Sequence, residues 1–343
     1  MKATRAESGA GNHSIEQLMT GVLMKRLPVS GKHVPGFRQG VLLPLLVFFL
    51  AAFPAACSDG EGPAEPPPQE VPCTWSTPLL SGTIIDDGLS EISGIAPGRR
   101  DAGVFWLHND SGNEPRVYAV DSTGTLLGYF VLDGASNIDW EDMASVVIDS
   151  VPMLLIADIG DNAETRATVE IVVVEEPLLR DISADRHPVL KGTAYRFKYP
   201  DAPHNAEAMF FDPGPRDLYI ITKSGDSTGL VFRAGWPFST DSVRTLQKAA
   251  EIAIPQTIPL ARLVTGADMT ATGDRIVVST YVGSYEFKGR KGMTVAEMFS
   301  TTPTPVTMPA LRQLEAICYG RYGNALWVTS EGQPAPLYHL RCE

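Results

Sequence analysis

Cysteine and histidine are scarce in this sequence, whose 343 residues include four Cys and six His. No C-x-x-C and no H-E-x-x-H motif occurs, so nothing in the sequence supports a zinc or haem site. Four cysteines are also too few for a disulfide-dense scaffold. The composition, 44% hydrophobic and 20% charged, is that of an ordinary globular protein.

Positive charge is also in short supply. The chain has 28 Lys+Arg against 40 Asp+Glu, a formal net charge of -12. Proteins that bind nucleic acid or anionic membrane surfaces depend on neutralising phosphate groups. This charge balance therefore argues against both as partners.

The apolar run from Val41 to Phe53 is too short to cross a membrane. As a helix its thirteen residues span about 20 Å, whereas the hydrocarbon core is about 30 Å thick. The run is preceded by Lys25, Arg26, Lys32 and Arg38, which is typical of a signal peptide. We predict a signal peptide over residues 1–56, with Met24 as a candidate for the true start.

Small residues stand directly before Cys57 in the sequence PAAC. This arrangement resembles the lipobox of bacterial lipoproteins, and the resemblance implies that Cys57 is acylated and becomes the first mature residue. Residues 57–74 then form a polar, Pro-rich tether. Ser58 after the cysteine resembles the sorting pattern of Gram-negative lipoproteins, and this resemblance implies the outer membrane. The alternative is an ordinary signal peptide cleaved near Ala56, and either case predicts an exported protein.

Three further cysteines are predicted to lie in an oxidising compartment, where one pair can form a disulfide. Cys73 lies just before the folded region and Cys342 lies one residue from its end. We favour a bridge between these two, because it would join both ends of the domain. Cys318 lies among apolar neighbours in LEAICYG and is predicted to be a free core residue. The other pairings stay open.

A repeated pattern runs through residues 75–343. An acidic residue opens a short strand-like segment five times, a small turn follows, and an apolar run such as MLLIAD or LYIITK comes next. Runs that are apolar on both faces are typical of strands buried on both faces. The five acids are Glu91, Glu141, Glu207, Asp268 and Glu315.

Third and fourth strands follow in most copies, so each copy predicts four antiparallel strands. Repetition of such units is typical of a β-propeller, and we predict an all-β fold. The last copy lacks a fourth strand, while Ser76 to Ile85 forms an extra one before the first copy. These two fragments would complete one blade and close the ring. Five blades are preferred, and six remain the alternative.

This blade pattern resembles exported bacterial β-propellers of the TolB-like, NHL-like and phytase-esterase-like groups, over nearly the whole mature chain. The resemblance implies an exported propeller, and together with the lipobox-like segment at Cys57 it predicts one that is lipid-anchored in the cell envelope. Those groups include binding and scaffolding modules as well as calcium-dependent hydrolases. The fold therefore does not select one function.

In such a blade the start of the first strand and the end of the second meet on one face, which predicts an acidic channel mouth. Carboxylate and amide oxygens without thiolates suit Ca²⁺. The candidate metal ligands are Glu91, Asn109, Asp110, Glu141, Asp158, Glu207, Asp268 and Glu315. Alternatively, the blade acids accept backbone N–H groups and join neighbouring blades. His108 is a weak candidate for a general base.

Two functions follow from these patterns. The first is a monomeric binding or scaffold module for an envelope protein or a glycan, with Ca²⁺ at the acidic mouth and no enzymatic activity required. The alternative is a Ca²⁺-dependent esterase or phosphoesterase. Lys223 is the one basic residue predicted at the mouth, and this scarcity disfavours a phosphate ester.

Overall fold

The computed structural model describes residues 73–343, apart from 184–185, 225–227 and 291. The predicted signal peptide, Cys57 and nearly all of the tether lie outside the described residues. Within this part of the chain the structure is almost entirely β. It contains one α-helix, α1 (Val295–Phe299), and 3₁₀ turns at Leu179–Asp181 and Pro259–Arg262. None of its helices has the length and apolar character needed to cross a membrane.

The strands follow one another along the chain in groups that form five sheets. Strand β1 (Leu79–Ile84) comes first and belongs to the last sheet. The first blade contains β2 (Ile92–Pro97), β3 (Val104–Asn109), β4 (Arg116–Asp121) and β5 (Leu126–Asp133). The second contains β6 (Trp140–Ile148), β7 (Val151–Asp158), β8 (Val169–Glu175) and β10 (Thr193–Lys198), and between β8 and β10 the chain forms β9 (Val189–Lys191), which belongs to the first blade. The third contains β11 (Ala206–Asp212), β12 (Asp217–Thr222), β13 (Thr228–Gly235) and β15 (Gln247–Ala253), and between β13 and β15 the chain forms β14 (Arg244–Thr245), which belongs to the second blade. The last two blades contain β16 (Val264–Met269), β17 (Arg275–Thr280), β18 (Gly283–Lys288) and β19 (Thr304–Val306); and β20 (Leu314–Tyr319), β21 (Ala325–Ser330) and β22 (Ala335–Arg341).

The five sheets are the blades of a propeller, with β2, β6, β11, β16 and β20 as the inner strands around the axis. Side chains alternate between the two faces of each strand. On β7, Leu154 and Ile156 pack against the first blade, while Leu155 and Ala157 pack against the third. Five hydrophobic clusters result, one between each pair of neighbouring blades. This confirms the five-bladed, all-β prediction.

Two blades carry a fifth strand that the sequence pattern did not predict. Strand β9 comes from the second blade's sequence but pairs in parallel with β5 of the first blade. Strand β14, from the third blade's sequence, likewise pairs with β10 of the second. The long connections after β8 and β13 thus cover an exposed edge of the preceding blade, which protects it from pairing with another chain.

The ring closes as predicted, by antiparallel pairing of β1 with β22. Trp75 forms a bridge with Cys342, and a disulfide joins Cys73 to Cys342, with 5.2 Å between their Cα atoms. Cys318 is free and buried, as expected. The disulfide therefore joins the two ends of the described domain beside the strands that close the ring.

Replacing both Cys73 and Cys342 by Ser should lower the free energy of unfolding by about 2–4 kcal/mol, because the bridge restricts the unfolded chain over a separation of 269 residues. Urea unfolding of the oxidised protein measures this loss. Reductant should destabilise the wild type by a similar amount and leave the double variant unchanged. Equal stability of the oxidised wild type and the double variant would contradict the prediction.

Candidate functional site

Each inner strand has a β-bulge at its second residue, where the register with the neighbouring strand shifts by one position. A bulge changes the direction of the side chain that it carries. The five bulge residues are Ser93, Glu141, Glu207, Thr265 and Glu315. The alignment of the five repeats inferred from the sequence is therefore wrong at two copies. Glu91 precedes β2, and Asp268 lies near the end of β16.

Ser93 and Thr265 connect neighbouring blades through their hydroxyl groups. Ser93 Oγ donates to the backbone oxygen of Trp140 at 2.8 Å, and Thr265 Oγ1 donates to that of Leu314 at 2.6 Å. Each acceptor is the first residue of the next inner strand. A small hydroxyl side chain at the bulge is thus sufficient for the architecture.

The three bulge glutamates form no such contact. Glu207 pairs with Lys223 Nζ, and Glu315 accepts from Gln313 Nε2 at 3.0 Å. Glu141 is 6% exposed and has no hydrogen-bond partner among the residues that the structure describes. These side chains are buried carboxylates that the blade architecture does not require.

Asp142 and Asp268 do accept backbone N–H groups across the ring. Asp142 Oδ2 accepts from Met209 at 2.8 Å and from Ala267 at 3.1 Å, so it connects the second blade to the third and the fourth. Asp268 Oδ2 accepts from Tyr319 at 2.8 Å. Asp268, a predicted metal ligand, therefore serves the alternative role of joining blades.

Three carboxylates meet at the mouth of the channel. Asp110 follows β3, Asp139 precedes β6, and Glu141 lies on the bulge of β6. One oxygen of each lies within 4.8 Å of the other two. We call Asp110, Asp139 and Glu141 the carboxylate cluster. An oxygen-only donor set of this kind, without thiolate or imidazole, fits a hard cation such as Ca²⁺ or Mg²⁺.

Burial and mutual repulsion raise the pKa values of the cluster. The pKa of Asp139 rises to about 6, mainly through burial and then through the charge of Asp110. Burial and the nearby charges of Glu207 and Asp110 hold the pKa of Glu141 well above its usual range. The pKa of Asp110 is also raised. A bound cation would relieve this repulsion.

The other side of the mouth contains Lys223, Glu207, Tyr281 and Glu315. Lys223 Nζ donates to Tyr281 Oη at 2.6 Å and forms an ion pair with Glu207. Burial raises the pKa of Glu207 to about 7, although Lys223 opposes this shift. Burial and the charge of Glu207 raise the pKa of Glu315 to about 8. Two carboxyl groups that exchange protons near neutral pH therefore share one buried mouth.

Three other predicted ligands have contacts inside the protein. Asn109 accepts from the backbone N–H of Glu91 at 3.2 Å and donates to the Gly88 oxygen at 2.6 Å. Glu91 accepts from Asn113 Nδ2 at 3.2 Å.

Asp158 forms a 2.7 Å ion pair with Arg166 and accepts from the backbone N–H of Asp139. Asp158 therefore holds the chain that carries Asp139.

His108, the weak candidate for a general base, is completely buried. Its Nδ1 lies 3.1 Å from the Asn109 backbone oxygen, and its ring packs edge-on against Trp140. Burial lowers the pKa of His108 to about 4, so the ring is neutral at pH 7. Its environment is that of a packed core residue.

Arg166 is a positively charged residue near the mouth that the sequence pattern did not predict. It lies in the connection after β7, donates to the Gly160 oxygen at 2.7 Å, and is electrostatically coupled to Asp139. Burial and the charges of Asp110 and Glu91 raise the pKa of Glu331, and the charge of Arg312 partly opposes this shift. Lys223 is thus not the sole cation near the mouth. No local signal marks Arg166, because it belongs to a loop without a repeat.

No protein-family model and no curated protein sequence matches this chain. Among solved structures, it is similar to the PQQ-bound aldose sugar dehydrogenase from Streptomyces coelicolor, with 13% identity, a TM-score of 0.49, and coverage of 79% of this chain and 99% of that one. It is also similar to XC5397 from Xanthomonas campestris, a gluconolactonase, with 14% identity, a TM-score of 0.42, and coverage of 78% and 89%. These likenesses concern the fold alone.

We expect the protein in EDTA to lose stability between pH 5 and pH 8.5. The folded state holds a proton on Glu315 up to about pH 8, whereas the unfolded chain releases it near pH 4.3. A group with a raised folded pKa stabilises the fold at low pH, and this contribution is lost as pH rises through the folded value.

In Glu315→Gln the free energy of unfolding should therefore fall less between pH 5 and pH 8.5, by at least about 1.4 kcal/mol, which corresponds to a tenfold change in proton affinity. Urea unfolding across this pH range measures it. Glu251→Gln, an exposed change on an outer strand, should leave the pH dependence as in the wild type. Identical pH profiles for the wild type and Glu315→Gln would show that burial does not raise this pKa.

Proposed function

We propose that the protein is a divalent-cation-dependent hydrolase of ester bonds that works at the mouth of the propeller channel. The observation that carries this proposal is Glu141, a buried carboxylate without a hydrogen-bond partner among the described residues, facing Asp110 and Asp139. A buried, unpaired charge is costly unless a cation compensates it. Carboxyl groups that converge on one place and have raised pKa values are typical of active sites.

Asp110, Asp139 and Glu141 would hold the cation. Three carboxylates supply three to six oxygen atoms, and Ca²⁺ takes six to eight, so backbone oxygens or water would complete the shell. When bound, the cation supplies Lewis-acid polarisation of an ester carbonyl group. Mg²⁺ is the alternative cation for the same donor set.

Glu207 and Glu315 are suited to the proton transfers. In hydrolysis a water oxygen bonds to the acyl carbon, and the bond from that carbon to the alkoxy oxygen breaks. Glu207, with a pKa of about 7, can take the proton from water. Glu315, with a pKa of about 8, holds a proton at pH 7 and can give it to the leaving alcohol. The products are an acid and an alcohol.

A second candidate function is cation-dependent binding of an envelope protein or a glycan without chemistry. Two exposed apolar side chains favour it. Ile138 is 57% exposed and adjoins Asp139, and Val282 is 60% exposed and adjoins Tyr281. Exposed apolar residues next to a binding site suit contact with a macromolecule. In both cases we propose export and an envelope anchor at Cys57.

We expect Ca²⁺ to bind with a stoichiometry of one and, at 100 times its Kd, to add about 2.7 kcal/mol to the free energy of unfolding. Glu141→Gln should weaken binding at least about tenfold, because it removes a charged ligand. Isothermal titration with CaCl₂ measures the Kd, and Glu251→Gln is the control for a surface charge. The same Kd in Glu141→Gln and the wild type would place the cation elsewhere or exclude it.

The wild type should hydrolyse 4-nitrophenyl acetate, lose this activity in EDTA and regain it with added Ca²⁺. Glu315→Gln should lower kcat by about 10²-fold, which is typical of the loss of a general acid. Absorbance of released 4-nitrophenolate reports the rate. Calcium binding without ester hydrolysis would exclude the hydrolase and favour the binding module.

A further inference from the structure

Lys223 and Tyr281 form a donor pair opposite the carboxylate cluster. Lys223 follows β12, and Tyr281 lies in the turn between β17 and β18, so the third and fourth blades bring them together. Lys223 Nζ lies 2.6 Å from Tyr281 Oη and 4.7 Å from the centre of its ring. The side chain of Lys223 is 13% exposed, and that of its ion-pair partner Glu207 is 7% exposed.

The direction of the hydrogen bond fixes what Tyr281 can do. An ammonium group has only donors, so Lys223 donates and the Tyr281 oxygen accepts. The phenol proton is then left for another acceptor, and none is found for it in the described part of the chain. Burial and the charges of Glu315 and Glu207 raise the pKa of Tyr281, so the proton stays on the oxygen. Tyr281 is therefore a neutral donor.

The charge on Lys223 is not available to an anion. Glu207 compensates it, and Asp110, Glu141 and Glu315 are electrostatically coupled to it as well. Phosphate sites in proteins use positive side chains or several backbone N–H groups, because the phosphate oxygens carry charge. Arg166 is paired with Asp158, and a divalent cation at the carboxylate cluster would carry two positive charges against three carboxylates. Tyr281 is therefore a neutral O–H donor within an acidic surround.

We propose that Tyr281 is a catalytic residue that donates its O–H to the carbonyl oxygen of the substrate, so that the mouth accepts uncharged carboxylic esters and rejects phosphate esters. This inference rests on the proposed hydrolase function. The hydrogen bond strengthens as the acyl carbon takes up water and negative charge develops on that oxygen. Because Lys223 donates to the Tyr281 oxygen, the phenol proton is left free for the substrate.

Tyr281→Phe removes the donor and keeps the ring over Lys223. In the purified full chain, kcat for 4-nitrophenyl acetate should fall by about 10²-fold or more. The KM and the Kd for Ca²⁺, measured with CaCl₂ in the absence of substrate, should change less than twofold. The midpoint of urea unfolding should stay that of the wild type. Tyr322→Phe, which alters a tyrosine that is 79% exposed, should match the wild type in all four measurements. The wild type should not accelerate hydrolysis of 4-nitrophenyl phosphate.

Full activity in Tyr281→Phe would overturn the role of Tyr281 and leave the hydrolase intact. A fall in calcium affinity as large as the fall in kcat would also overturn it, since Tyr281 would then act through the structure of the mouth. Faster turnover of the phosphate than of the acetate would overturn the substrate class. A wild type that hydrolyses neither ester would remove the hydrolase function together with this inference.

Discussion

The bulge at the second residue of each inner strand is the constraint on which the mouth depends. In each blade it changes the direction of one side chain, which no longer follows the regular alternation between the two faces of the strand. Where that side chain is Ser93 or Thr265, its hydroxyl bonds to the next inner strand and supports the ring. Where it is glutamate, the same geometry directs a carboxylate into a buried space. The same backbone feature therefore supports the ring in two blades and places buried carboxylates at the mouth in the other three.

The carboxylates at the mouth repel one another, and neighbouring cations and backbone N–H groups offset part of this repulsion. Lys223 compensates Glu207, and Arg166 lies beside Asp158 and Asp139. Deeper in the ring, Asp142 receives backbone N–H groups from the third and fourth blades and holds them at a fixed distance. Glu141 has no hydrogen bond and no ion pair among the described residues, although the charge of Lys223 partly offsets its own. A buried group that is unfavourable in the protein alone is a natural binding site for a cation.

Much of the fold could be predicted from the sequence, because blades depend on runs of apolar residues that are visible in it. The runs MLLIAD and LYIITK became β7 and β12, and the extra segment near Ser76 became the closing strand β1. The Cys73–Cys342 disulfide was predicted because these two cysteines lie at the two ends of the domain that the closing strands bring together. The parallel edge strands β9 and β14 were missed, because short segments in long loops carry no periodic signal.

The candidate site was less predictable, because a bulge shifts the register by a single residue. Ser93 does not resemble Glu141 in sequence, so Glu91, two positions away, was taken as its equivalent. Asp268 was aligned with the other blade acids for the same reason, although Thr265 is the bulge residue of β16. Lys223 was expected at the mouth from the sequence, and the structure places Tyr281 beside it. Their mutual hydrogen bond depends on the packing of two blades, which no local pattern encodes.

The most direct test of a cation at the carboxylate cluster is anomalous diffraction from crystals of the protein grown with Mn²⁺, a scattering substitute for Ca²⁺ at oxygen ligands. The account predicts one strong anomalous peak within about 2.5 Å of oxygens from Asp110, Asp139 and Glu141, and its loss in Glu141→Gln. A mouth without a peak, in crystals that diffract well and contain excess Mn²⁺, would contradict it.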